Sequence, residues 1–256
     1  MSIHPTAIID PEAELGADVV IGPYCVIGAD VSIGDGSWLQ NHVTVYGPTK
    51  IGKQNRFHAY CSIGQQTQDL KYAGEPTYLE IGDNNSFREF ATLNRATAAG
   101  NRTVVLNHGN FLAYAHIAHD CEVGNNVIFS NNGTLGGHVT VGEYVVLGGL
   151  SAVHQFCRIG KHAITGGCTK IVQDVPPFMI ADGNPAEIRG INLVGLERRG
   201  FSPEAIRSLK EAFRILYRAK LNTKQALTEI ERSLPESPEL RELVTFIETS
   251  ERGIIR

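Results

Sequence analysis

Four histidines, His116, His119, His138 and His154, fall in one stretch that is otherwise apolar and rich in glycine. Imidazole, with an ordinary pKa of about 6.5, is the side chain best suited to accept and return a proton near neutrality. Two chemistries fit the group. A histidine could take the proton from a hydroxyl nucleophile, with Asp120 beside His119 orienting or charging the ring. Alternatively, three histidines could hold Zn²⁺ with an open fourth position, for which His116-x-x-His119 is tolerable spacing. The five cysteines include no C-x-x-C pair, so neither a disulfide framework nor a thiolate metal site is indicated.

The elements that position these residues announce themselves as a period of six. Counting from Ile3, every sixth residue is apolar through Ile9, Leu15, Ile21, Ile27 and onward to Ile63. The frame resumes at Ile81, softens at Ala99, and runs from Val105 to Ile171 with a single Thr165. Glycine often follows the apolar residue, as at Gly22, Gly34, Gly136 and Gly148. An α-helix, with about 3.6 residues per turn, would sweep such residues around every face. A short strand followed by a corner accommodates the hexad, with the apolar side chain inside a prism and glycine giving the backbone room to bend. Three sides close one coil of 18 residues, so residues 18 apart stack on successive coils. His119 is then expected beneath Gly137, with His138 beside it, and Gln155 and His154 a coil higher. The cysteines fit the frame as small inward groups, Cys25, Cys61, Cys121 and Cys157 each four residues after a frame position, and core is their expected place. The period leaves the hand of the coil open, since parallel crossovers are normally right-handed.

Two breaks interrupt the frame, at residues 65–80 and 97–102, and both read as loops extruded from the prism. Beyond Pro176-Pro177 the pattern turns helical. Ser202-Pro203-Glu204 opens one helix, and two more are expected from near Thr223 and Ser237-Pro238. The expected organisation is a β-helix over residues 1–190 and an α-helical region over 191–256. A net charge of -4 offers no electrostatic case for nucleic acid. The first ten residues lack the pattern of a signal peptide, and no apolar run is long enough to span a membrane, so a soluble cytoplasmic protein is expected.

The segment Ala115-His116-Ile117-Ala118-His119-Asp120-Cys121 closely resembles the signature of the UDP-N-acetylglucosamine O-acyltransferases that open lipid A synthesis. So do Asp69-Leu70-Lys71-Tyr72, Val153-His154-Gln155-Phe156 and Arg198-Arg199-Gly200-Phe201, and the likeness covers nearly the whole chain. The resemblance implies a left-handed parallel β-helix of hexapeptide repeats that acts without metal or cofactor. Its substrates would be UDP-N-acetylglucosamine and a 3-hydroxyacyl chain borne by acyl carrier protein. By the same resemblance His119 is the general base on the sugar 3-hydroxyl, Asp120 its partner, and the Gly137 N–H the oxyanion donor. His116, His138, His154 and Gln155 would position the sugar nucleotide or acyl chain, and Asp69 and Lys71 would approach the sugar and phosphates. Asn192 and Arg198 or Arg199 would bind the nucleotide end.

Two departures stand out: Asn94 where the family commonly has histidine, and Val194 where it often has glutamate. Gly167 lies where related enzymes measure acyl length, and a residue without a side chain leaves that groove open for a longer chain. A prism with three flat faces suggests a closed homotrimer with sites in clefts between subunits, as does the resemblance. Lys210, Arg214, Arg218 and Lys220 could offer a basic face to the acidic carrier.

Overall fold

Each hexad becomes a strand of two to four residues and a corner, and the strands collect into three sheets of 11, 9 and 8 strands, parallel throughout save for the last strand of the first. A computed structural model describes all residues, 1–256. The chain visits the three sheets in turn, so they form faces A, B and C of a triangular, left-handed column. Register follows the sequence frame: Ser2 pairs with Val20 and Thr134 with Ala152, one coil apart. The offset widens where the loops leave, with Arg56 opposite Ser86 and Thr92 opposite His116. Frame residues fill the axis, among them Phe57, Phe87, Phe111 and Phe129, whose rings succeed one another at 5.0, 4.7 and 5.1 Å. Trp38, beside frame residue Leu39 on face A, points outward and packs edge-on against His58 at 5.3 Å.

The corners work differently from the expectation that glycine supplies the bend. The left-handed backbone falls three residues after the frame position and is carried mostly by other residue types, such as Tyr24, Gln54, Asp120 and His138, with φ of 57°, 56°, 58° and 59°. The glycine immediately after the frame residue instead lets coils approach. A Cβ on Gly34 would lie 2.6 Å from the Gly52 carbonyl carbon and 2.9 Å from the Lys53 amide nitrogen, both backbone atoms of the next coil.

Both loops are shorter than expected. Gln65 ends the strand Ser62–Gln65 and residues 78–80 belong to Tyr78–Ile81, while Arg102 opens Arg102–Val105. Each loop leaves face B and returns on face C, at the corner that also carries His119. Four cysteines are buried, and burial pushes the Cys61 and Cys121 thiols up to about 12, which keeps them protonated. Cys168 breaks the expectation of a core residue: it sits at a corner, φ 55°, and is exposed.

Strands Met179–Asp182 and Glu187–Ile191 form an antiparallel hairpin on face A, and four helices follow. Helix α1 (Leu193–Arg198) is a turn and a half that the periodicity does not foretell. Helices α2 (Pro203–Arg218), α3 (Thr223–Ser233) and α4 (Pro238–Glu248) start where expected, capped by Ser202, Asn222 and Ser237. One buried apolar cluster of 58 residues runs through prism and helices alike. The C-terminal tail is stitched to the top coil: Asp174 accepts from the Ser250 hydroxyl at 2.7 Å and from the Arg158 N–H at 2.8 Å. No helix is long and apolar enough to cross a membrane.

Candidate active site

The corner between faces B and C stacks three pairs on successive coils: His119 with Asp120, Gly137 with His138, and Gln155 with Phe156. The His138 N–H donates to the His119 carbonyl and the Phe156 N–H to the Gly137 carbonyl, each at 3.0 Å, so the corner is rigidly bonded coil to coil. The Gly137 N–H donates to no acceptor within the chain. A Cβ on Gly137 would collide with the His119 imidazole, so glycine is what permits the ring to lie there. The expected juxtaposition of His119 and Gly137 is met.

His119 is buried, and its Nδ1–H donates to Asp120 Oδ2 at 2.9 Å, since a carboxylate only accepts. That bond leaves the lone pair on Nε2, which has no partner in the chain and is not sealed from solvent. Asp120 is held from every side. The Thr97 N–H donates to Oδ2 at 3.0 Å, the Asn101 amide to Oδ1 at 3.1 Å, and His138 Nε2 lies 3.8 Å away. Burial alone would raise the Asp120 carboxyl. The bonds from His119, Asn101 and Thr97 outweigh it, with His138 adding, and hold the group below the usual carboxylate range. His138 is partly exposed, stacked flat on Phe156 at 4.5 Å and edge-on to His119 at 5.2 Å.

His116 stands outward on face B. Its Nδ1 is 2.7 Å from Thr92 Oγ1, and burial, with the His119 charge adding, pushes its pKa down. The side chains that approach one another with metal-ligand atoms, all within 4.8 Å, are His119, Asp120 and His138, so the pair His116-x-x-His119 does not converge. His154 is exposed, its Nδ1 against the Gln155 carbonyl at 3.0 Å.

Asp69 lines a cleft of about 500 Å³ between the first loop and face B, together with Gln65, Thr92 and Asn94. Asp69 also shapes its own turn by accepting from the Lys71 N–H at 2.9 Å, and Lys71 is exposed. Asn94 is buried. Its amide donates to the Gln66 carbonyl at 3.1 Å, and its Oδ1 has no partner.

The remaining candidates sit elsewhere on this chain. Gly167 is at the corner between faces A and B, where a Cβ would meet only the Gly149 carbonyl oxygen at 3.5 Å, an ordinary contact. Asn192 is buried as the N-cap of α1, and its amide donates to the His162 carbonyl at 2.9 Å. Arg198 ends α1 and Arg199 lies 4.1 Å over the Tyr144 ring, at the corner between faces C and A. Thr92, Thr97 and Asn101, which hold His116 and Asp120, carry no sequence signal of that role. Thr92 lies 24 residues from its partner because the second loop lengthens that coil and spoils the count of 18, and Asn101 reaches Asp120 from the loop itself.

A family model described as UDP N-acetylglucosamine O-acyltransferase, domain 2, matches residues 174–255. Among solved structures, LpxA from Acinetobacter baumannii is 45% identical over the full length of both chains, with a TM-score of 0.96. The UDP-N-acetylglucosamine O-acyltransferase LpxA from Moraxella catarrhalis is 42% identical, again over 100% of both, at 0.95. The UDP-N-acetylglucosamine acyltransferase LpxA from Bacteroides fragilis is 41% identical over 99% of this chain and 100% of its own, at 0.96.

Proposed function

The chain belongs to the UDP-N-acetylglucosamine O-acyltransferase family, and on that footing we propose that it moves a (3R)-3-hydroxyacyl chain from acyl carrier protein to the 3-hydroxyl of UDP-N-acetylglucosamine. The reaction is the first step of lipid A synthesis and proceeds in the cytoplasm. His119 Nε2 takes the hydroxyl proton as the sugar oxygen attacks the thioester carbonyl carbon. The oxyanion is received by the Gly137 N–H. Collapse breaks the C–S bond, and the proton passes from His119 to the departing sulfur. Asp120 keeps the Nδ1 proton in place and balances the imidazolium. A positioned base of this kind contributes about 10²- to 10⁴-fold, and an oxyanion donor about 10²- to 10³-fold.

What supports this reading most is that the His119 ring, with its Nε2 free, lies against Gly137, whose backbone N–H is unengaged. Asp69 and Lys71 approach the sugar and phosphates, and His116, His138, His154 and Gln155 position the substrates around the base. Arg198 or Arg199 and Asn192 bind the nucleotide end. Because these last residues and Gly167 lie on other corners, the enzyme works as a homotrimer whose clefts combine groups from neighbouring subunits. Glycine at 167 answers no packing need, which supports a role in leaving the acyl groove open. On α2, Arg214 is engaged by Glu211 and Arg218 lies 5.8 Å over Phe213, while Lys210 on the helix and Lys220, two residues past its end, are free of ion pairs. These four groups meet the acidic carrier, and reversing Lys210 and Lys220 raises KM for it.

Mass spectrometry of products from UDP-N-acetylglucosamine and a panel of 3-hydroxyacyl carrier thioesters tests the proposal. Wild type should acylate the sugar with preference for fourteen-carbon over ten-carbon donors, and His119→Ala should lose about 10²- to 10⁴-fold in kcat. Undiminished turnover by His119→Ala would remove the base from the mechanism.

A further inference from the structure

The row of outward residues on face B turns polar on its way to the active corner: Thr44, Ser62, Thr92, then His116. Thr92 is the last hydroxyl before the histidine, and Oγ1 makes a single hydrogen bond, to His116 Nδ1 at 2.7 Å. His116 Nε2 makes none and is not sealed off. Resting on the acyl-transfer reading, we propose that Thr92 is a positioning residue that fixes His116 as the neutral Nε2–H tautomer, so that His116 gives a hydrogen bond to an acceptor oxygen of the sugar nucleotide.

A half-buried hydroxyl needs an acceptor for its proton, and the imidazole nitrogen is the one acceptor bonded to Thr92 Oγ1. If Thr92 donates, Nδ1 carries the lone pair and Nε2 must carry the proton. Two histidines three residues apart thereby take opposite tautomers. Asp120 puts the proton of His119 on Nδ1 and leaves a base at Nε2. Thr92 puts the proton of His116 on Nε2 and makes a donor. The cleft that Thr92 lines with Gln65, Asp69 and Asn94 is polar, which suits a sugar nucleotide better than an acyl chain.

The test is long-range ¹⁵N correlation of imidazole-labelled protein together with kinetics of Thr92→Val and Thr92→Ser. The His116 resonances should report Nε2–H in wild type and in Thr92→Ser, and a mixture in Thr92→Val. Thr92→Val should raise KM for UDP-N-acetylglucosamine about 3- to 10-fold, the size of one hydrogen bond, with kcat and KM for the carrier thioester little changed. Thr92→Ser should restore it. An Nδ1–H His116 in wild type, an unaltered tautomer in Thr92→Val, or a KM effect confined to the carrier thioester overturns the assignment. Absence of any acyl transfer alongside an Nε2–H His116 would overturn the enzymatic reading while upholding the role of Thr92.

Discussion

Gly137 owes its identity to the ring beneath it. The position where its side chain would begin is occupied by the His119 imidazole, so Gly137→Ala must displace the base, the donor amide, or both. The expected outcome is a loss of at least about 10²-fold in kcat with a small change in Tm, measured by steady-state kinetics and calorimetry on the same preparation. His162 makes a different kind of prediction. It is stacked between Tyr144 at 4.9 Å and Phe178 at 5.8 Å, with Nδ1 unpartnered, and burial, then the Arg199 charge, pushes its pKa down to about 4. The unfolded chain, with an ordinary value of about 6.5, therefore binds the proton first. Stability contributed by neutral His162 is complete above that value and is lost as pH falls toward the folded value. Tm of the wild type should drop between pH 7 and pH 4.5, and His162→Phe, which keeps the stack but cannot titrate, should drop a few degrees less.

At the scale of coils and helices, packing separates two kinds of glycine. Gly34→Ala would press a methyl into backbone that cannot move aside, and a cost of about 1–3 kcal/mol is expected. Gly190→Ala, in open space on the hairpin strand, should leave Tm nearly unchanged. Thermal melts of the two variants distinguish close stacking from turn-making as the reason for the repeat's glycines. The sequence announces the coil plainly, because inward side chains recur at a fixed interval whatever their identity. It conceals which hexad position bends, since Tyr24, Gln54 and His138 adopt the left-handed backbone without being glycine. The recurring glycine after the frame residue is visible in the sequence, but its reason, the approach of the next coil, is not. The site was legible in the same uneven way. His119 under Gly137 follows from one coil's spacing, whereas Thr92 against His116 and Asn101 against Asp120 depend on a loop that alters that spacing. Asn192 is named as a nucleotide contact by resemblance alone, and its further task of capping α1 has no signal in the hexad count.

Taken whole, the molecule is a stack in which each coil touches chiefly its neighbours, with the helices joined to its C-terminal end by the shared core and by bonds such as those of Asp174 with Ser250 and Arg158 with Thr249. Such stacks lose structure in stages more readily than closed globules do. The chain has one tryptophan, and Trp38 lies low in the column, whereas all helical ellipticity comes from residues beyond 192. Indole fluorescence and ellipticity therefore watch opposite ends of the same object. Followed together through a urea titration, the two signals amount to a built-in ruler for which end lets go first.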